Sequence, residues 1–180
     1  MHPFFTSSGP AVFAHRGGGA LAPENTLAAF ERGLTLGADG IELDVQLSRD
    51  GAVVVHHDAP VDRVCIGSSS LRGLRTVRAA EPAIATSAAR QEVRWAVYRA
   101  WMGRPPSPRA QYSVFQVPEF AGTTRVVSRR FVDLARRAGR PVQVWTINHE
   151  DDGRRLLGWG VQALITDRPD IMVPLVRGGR

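Results

Sequence analysis

The chain contains no lysine: its 23 positive side chains are all arginines, and with 17 acidic residues they leave a formal net charge of +6 over 180 residues. A basic balance favours anionic partners such as phosphate esters, nucleic acid or anionic membrane surfaces, or simply keeps the protein in solution. The arginines spread over several expected helices, with no basic tail and no tract of interleaved aromatics, so no nucleic-acid partner is expected. The single cysteine, Cys65, excludes an internal disulfide and a multi-cysteine zinc site, and fits a reducing compartment. Residues Met1 to Pro10 lack a basic segment followed by a long apolar run, so no secretory leader is expected. No apolar stretch approaches the ~20 residues a membrane span needs. The expectation is a soluble cytoplasmic protein. Repeats and low-complexity tracts are also missing. With 43% hydrophobic and 22% charged residues, 1–180 reads as one domain with its own core.

What is present alternates. Ala11 to Ala14 is a short apolar run ending in His15-Arg16 and three glycines, which reads as a buried strand entering a turn. Pro23 opens a helical segment, Glu24 to Leu36, with Leu27, Phe30 and Leu34 at helical spacing and Gly37 as its stop. Gly40 to Leu47 alternates apolar and polar residues, which predicts a strand with Glu42, Asp44 and Gln46 on one face. Arg49-Asp50-Gly51 signals a turn, and Val53 to Val55 a strand leading into His56-His57-Asp58. Helices are expected at Ser68–Ala80, Ser87–Met102, Ser128–Ala138 and Asp152–Leu157. Strands are expected at Ala83–Ala85, Tyr112–Val117, Val142–Ile147 and Ala163–Ile165, with a proline-rich loop at Gly103–Pro108. Such alternation predicts α/β architecture with parallel strands.

Three features fall at strand ends, where such folds keep their chemistry. His15-Arg16 offers a proton-transfer group beside a fork of donors suited to phosphate oxygens, or else a structural histidine bonded to backbone. Glu42 and Asp44 share a strand face. They either lie in solvent or hold a hard cation between them. His57-Asp58 supplies a second acid/base candidate or a surface histidine.

Together the stretches Ala14-His15-Arg16-Gly17, Pro23-Glu24-Asn25-Thr26, Ala38 to Val45, Asp50-Gly51, Val55 to Asp58 and Asp62-Arg63 resemble the N-terminal signature of glycerophosphodiester phosphodiesterases. Gln116 to Glu119, Val144 to Asn148 and Ile165 to Pro169 are similar to that family's last barrel strands. The resemblance implies a TIM-like (β/α) barrel that hydrolyses a glycerophosphodiester to glycerol 3-phosphate and an alcohol. It further implies His15 and His57 as general acid and base, Arg16 on the phosphate, and Glu42 and Asp44 as ligands of Ca2+ or Mg2+. Trp145 would wall the substrate pocket and Glu119 would stand near the glycerol end. In that family the substrate's own glycerol hydroxyl attacks first, giving a cyclic phosphate that water opens.

The chain is shorter than a complete barrel of about 250 residues, and it counts fewer than eight strand-helix units. The resemblance breaks between about Arg75 and Pro82, where the family carries further strands, a metal-ligand glutamate and a phosphate-binding lysine without counterpart here. Two carboxylates without the third should hold a cation more weakly. The resemblance therefore also leaves open a non-catalytic, phosphate-binding remnant. Exposed sheet edges would need cover, for instance by pairing in a homo-oligomer.

Overall fold

The computed structural model describes residues 9–43, 46–47, 53–54 and 65–178. Five strands form one parallel sheet: β1 (Ala11–His15), β2 (Gly40–Glu42), β7 (Phe115–Pro118), β10 (Val142–Trp145) and β11 (Ala163–Thr166), in the order β2-β1-β11-β10-β7. Two further strands, β5 (Cys65–Ile66) and β6 (Ala85–Thr86), pair in parallel, and a parallel bridge from Ser87 to Val114 ties them to the β7 side. Burial, and secondarily the negative charge of Glu42, push the Cys65 thiol up to about 12.

Six helices flank the strands among the described residues: α1 (Leu27–Thr35), α2 (Leu71–Ala80), α3 (Arg90–Trp101), α4 (Arg129–Arg137), α5 (Glu150–Gly158) and α6 (Pro169–Gly178). Hydroxyl caps start three of them. Thr26, Ser70 and Ser128 each accept the amide N–H three residues on, at 3.2 Å in every case. Helix α6 was not expected from the sequence, although Pro169 at its first position is a standard opening.

The strand alternation divides the core. Val12, Val117, Val144 and Leu164 pack with Phe131, Leu156 and Met172 of the helices, and Phe115 lies between Tyr112 and Phe131 at ring separations of 4.8 and 5.0 Å. Phe13, Ala163 and Ile165 form a smaller cluster on the opposite side. Gly40 makes room for it, since a Cβ there would lie 2.9 Å from the Phe13 ring.

Several expectations are corrected. The Gly40–Leu47 strand is two strands: β2 ends at Glu42, and β3 (Gln46–Leu47) pairs antiparallel with β4 (Val53–Val54). The valine run thus joins a hairpin rather than the parallel sheet. In α1, Leu27 and Leu34, whose spacing marked the helix in the sequence, are 58% and 52% exposed, while Ala29 and Gly33 are buried. The helix lies too close for larger groups, because a Cβ on Gly33 would stand 2.9 Å from both the Ala14 Cβ and the Gly17 carbonyl oxygen. Helix α3 begins at Arg90 rather than Ser87, because Ser87 is spent on the bridge to Val114. The amide of Ala89 then donates to Glu92 at 2.8 Å and sets the start. A second hairpin, β8 (Phe120–Ala121) with β9 (Thr124–Arg125), was not anticipated.

Candidate active site

Parallel pairing of β1 with β11 aligns Ala14 with Thr166, so the next residues along the chain, His15 and Asp167, come side by side at the strand ends. His15 Nδ1 lies 2.7 Å from Asp167 Oδ1. The other carboxylate oxygen accepts from Asn148 Nδ2 at 2.9 Å. Asn148 is itself fixed through its oxygen, which accepts from the Asp167 amide at 2.9 Å and the Thr166 hydroxyl at 3.1 Å. A carboxylate can only accept, so Nδ1 of His15 carries a hydrogen, which leaves Nε2 as the nitrogen that can exchange a proton. The loop beyond is braced by Arg168. Its guanidinium grips Asp170 at 2.9 and 2.7 Å, and its amide donates to Thr166 at 2.9 Å. That pair holds the Asp170 carboxyl below the usual carboxylate range.

On the other side of β1, His15 is in register with Glu42. The Glu42 carboxylate stands 3.8 Å from His15 Nε2, beyond hydrogen-bond length. The Glu42 side chain is 23% exposed. Arg16 adopts the left-handed φ of 52°, a conformation uncommon for a side-chain-bearing residue. Its backbone is held from both directions, donating to the Glu42 carbonyl at 2.7 Å and accepting from the Asn25 amide at 3.0 Å. Its guanidinium meets both oxygens of Glu24 at 3.0 and 3.1 Å. Gly17 follows at φ 89°, where a Cβ would sit 2.7 Å from that of Ala29. Only glycine fits there.

The remaining sequence candidates are distributed differently. Trp145 ends β10, the neighbour of β11, and is 41% exposed. Glu119, just past β7, is turned into an ion-pair cluster. Arg155 donates to its two oxygens at 2.8 and 2.9 Å, and Arg125 lies 3.7 Å away. Glu119 and Asp152 together raise the Arg155 guanidinium above its ordinary value. Asp44 and His57 lie outside the described residues.

The described residues therefore bring together His15, Arg16 and Glu42 of the sequence candidates. They add Asp167, Asn148 and Glu24, to which sequence reading gave no role. The signal was available, since Asn148 and Asp167 each follow an apolar strand run. Glu42 is an oxygen donor of the kind Ca2+ or Mg2+ prefers. Among the described residues no group of three or more His, Cys, Asp or Glu side chains could hold a metal ion.

A model of the glycerophosphoryl diester phosphodiesterase family matches residues 15–82 and 62–171. Among curated proteins, a glycerophosphodiester phosphodiesterase of Caldanaerobacter subterraneus is 57% identical over 61 residues, 34% of this chain and 25% of that protein. Glycerophosphodiester phosphodiesterase 1 of Rattus norvegicus is 47% identical over 75 residues, 41% of this chain and 23% of that one. The matched stretch thus spans about a quarter of these relatives' length. Among solved structures, a glycerophosphodiester phosphodiesterase from Agrobacterium tumefaciens superposes with TM-score 0.68 at 19% identity, covering 94% of this chain and 100% of that one. An Oleispira antarctica phosphodiesterase, solved with the product sn-glycerol-3-phosphate, gives TM-score 0.69 at 18% identity, covering 93% and 97%. The fold is accordingly an incomplete (β/α) barrel of the TIM type, with His15, Glu42 and Asp167 at the C-terminal ends of its strands, where such barrels carry out their chemistry. On the span of the family match, and with His15 inside it, the chain belongs to the glycerophosphoryl diester phosphodiesterase family.

Proposed function

We propose that this chain hydrolyses glycerophosphodiesters to glycerol 3-phosphate and an alcohol in the cytoplasm, with the help of Ca2+ or Mg2+. The observation that carries the reading is His15, whose ring is bonded through Nδ1 to Asp167 while Nε2 lies 3.8 Å from the Glu42 carboxylate at the strand ends. An imidazole with a fixed tautomer can take a proton from an attacking hydroxyl and return it to a leaving oxygen. His57 would serve as its counterpart in proton transfer, and Arg16 would grip the phosphate while sharing its guanidinium with Glu24. The cation, held by Glu42 and Asp44, would offset charge on the phosphoryl oxygens. Trp145, exposed at the end of β10, would wall the glycerol or alcohol group.

Hydrolysis of glycerophosphocholine, with calcium or magnesium supplied and then chelated, tests the reading. Metal-dependent turnover that His15→Ala abolishes is the expected result; turnover no higher than that variant's rejects it. The second reading, a phosphate-binding remnant without turnover, is favoured by the absence of a counterpart to the family's further metal-ligand glutamate and its lysine, since the chain contains no lysine. It predicts glycerol 3-phosphate binding that Arg16→Ala weakens, with no hydrolysis under any metal.

A further inference from the structure

Helix α3 is built inside out. Its inward residues are small, with Ala96, Val97 and Ala100 buried. Its outward stripe, which also carries Gln91 and Arg94, holds Trp95, Tyr98, Trp101 and Met102, exposed by 55%, 47%, 64% and 47%. Four large apolar side chains on one face of one helix form a contiguous patch of the kind that marks an interaction surface. The cations lie beside them. Helices α2 and α3 together carry six arginines, Arg72, Arg75, Arg78, Arg90, Arg94 and Arg99, and one acid, Glu92. Arg78 already meets Glu92 at 3.0 Å, so the pair contributes no net charge. Gln91 of the aromatic stripe also lines an open groove with Ser69, Ser70, Arg72 and Arg75 at the start of α2.

We infer that the α2–α3 face is a docking surface for an anionic phospholipid bilayer, with the aromatic stripe set at headgroup depth and the arginines against lipid phosphates. Tryptophan and tyrosine favour that depth because each joins an apolar body to a polar tip. Arginines near an anionic leaflet each add attraction within a Debye length. Charge complementarity selects this occupant. A second copy meeting the face symmetrically would set arginine against arginine. Contrary to the expectation from the sequence, arginine and aromatic residues do interleave along this helix, from Arg94 to Trp101, which raises single-stranded nucleic acid as a rival. Trp95 and Tyr98 stack on each other, however, at 5.5 Å and 26°, so they cover π-faces that bases would need, and stacking platforms lie in grooves rather than on a convex helix. No described helix is long and apolar enough to cross a membrane, so the contact is peripheral.

Co-sedimentation of the full chain with vesicles decides the matter and needs no catalysis. Vesicles of phosphatidylcholine mixed with phosphatidylglycerol should bind at least about tenfold tighter than pure phosphatidylcholine. Added salt should weaken that binding, and brominated lipid should quench the tryptophan fluorescence. The double variant W95S/W101S, whose side chains are exposed and whose circular dichroism should match the parent, should lose about tenfold or more in vesicle affinity. Arg94→Glu should lose affinity for the mixed vesicles alone. Equal binding by parent and W95S/W101S overturns the proposal, as does no binding to mixed vesicles. Failure on vesicles together with dimerisation that W95S/W101S abolishes assigns the face to a second copy instead. A single-stranded oligonucleotide bound more tightly than the mixed vesicles assigns it to nucleic acid.

Discussion

Asp167 reaches across 152 residues of sequence to place an oxygen 2.7 Å from His15 Nδ1, and this contact decides which ring nitrogen is available for chemistry. If the bond orients the ring, Asp167→Asn presents an amide that can offer its N–H and favour the wrong tautomer. We expect kcat to fall about 10²- to 10⁴-fold with KM nearly constant. Asn148→Ala, one step further out, should cost about tenfold, roughly one hydrogen bond's worth of orientation. Steady-state kinetics on glycerophosphocholine and the ¹⁵N shifts of the His15 ring are the readouts. An Asp167→Asn enzyme as fast as the parent, with Nδ1 still protonated, would deny Asp167 this role.

Glu119 has an 11% exposed side chain and accepts two bonds from Arg155. Removing the guanidinium leaves a mostly buried carboxylate without its main partner. Arg155→Ala should therefore lower the unfolding free energy by about 1–3 kcal/mol in urea titrations. Arg155→Lys should recover little of it, because an ammonium cannot donate in a fork. Full recovery by lysine would mean that charge alone holds this corner together.

Gly33 carries the contact between α1 and β1. Gly33→Val forces a side chain into a space where even a Cβ would lie 2.9 Å from Ala14, which should destabilise the fold by about 1–3 kcal/mol. Leu34→Ala, one residue along but on the exposed side, should change stability by less than about 0.5 kcal/mol. Thermal denaturation of the two variants separates close packing from helix propensity.

Alkaline pH should loosen the fold. Burial raises Cys65 from 9.0 and Tyr112 from 10.0, each to about 12. For both groups the folded chain keeps a proton that the unfolded chain releases first. Stability is thus full below about pH 9, declines as pH rises through the unfolded values and continues to fall until about 12. Cys65→Ala should flatten the first part of that decline in pH-dependent urea titrations. The thiol should also react sluggishly with iodoacetamide at pH 8, and faster in Glu42→Gln, where one cause of the raised value is gone.

How much of this was legible beforehand varies with how local each feature is. Strands β1, β7, β10 and β11 and helix α4 follow from apolar runs and a serine cap, so the sequence places them within a few residues. Helical spacing located α1 by large residues, Leu27 and Leu34, but did not say which face packs. The sheet instead demanded the smallest, Ala29 and Gly33. The expected strand through Leu47 broke because alternation records which face a residue takes, while the partner strand decides where pairing stops.

The candidate site divides along the same line. His15, Arg16 and Glu42 were found because each sits in a local motif. Asp167 and Asn148 were passed over, since their value lies in partners 152 and 19 residues away. Glu119 was expected at the glycerol end, and the structure gives its oxygens to Arg155, from 36 residues downstream.

The amino-acid order alone determined the family, the α/β alternation and the types of group at the strand ends, because these depend on residue identity at fixed local spacing. Only the folded chain decided which nitrogen of His15 faces Glu42, which helix faces meet solvent and where the cations gather. Those are matters of distance and direction between segments far apart in sequence, and a linear string carries neither.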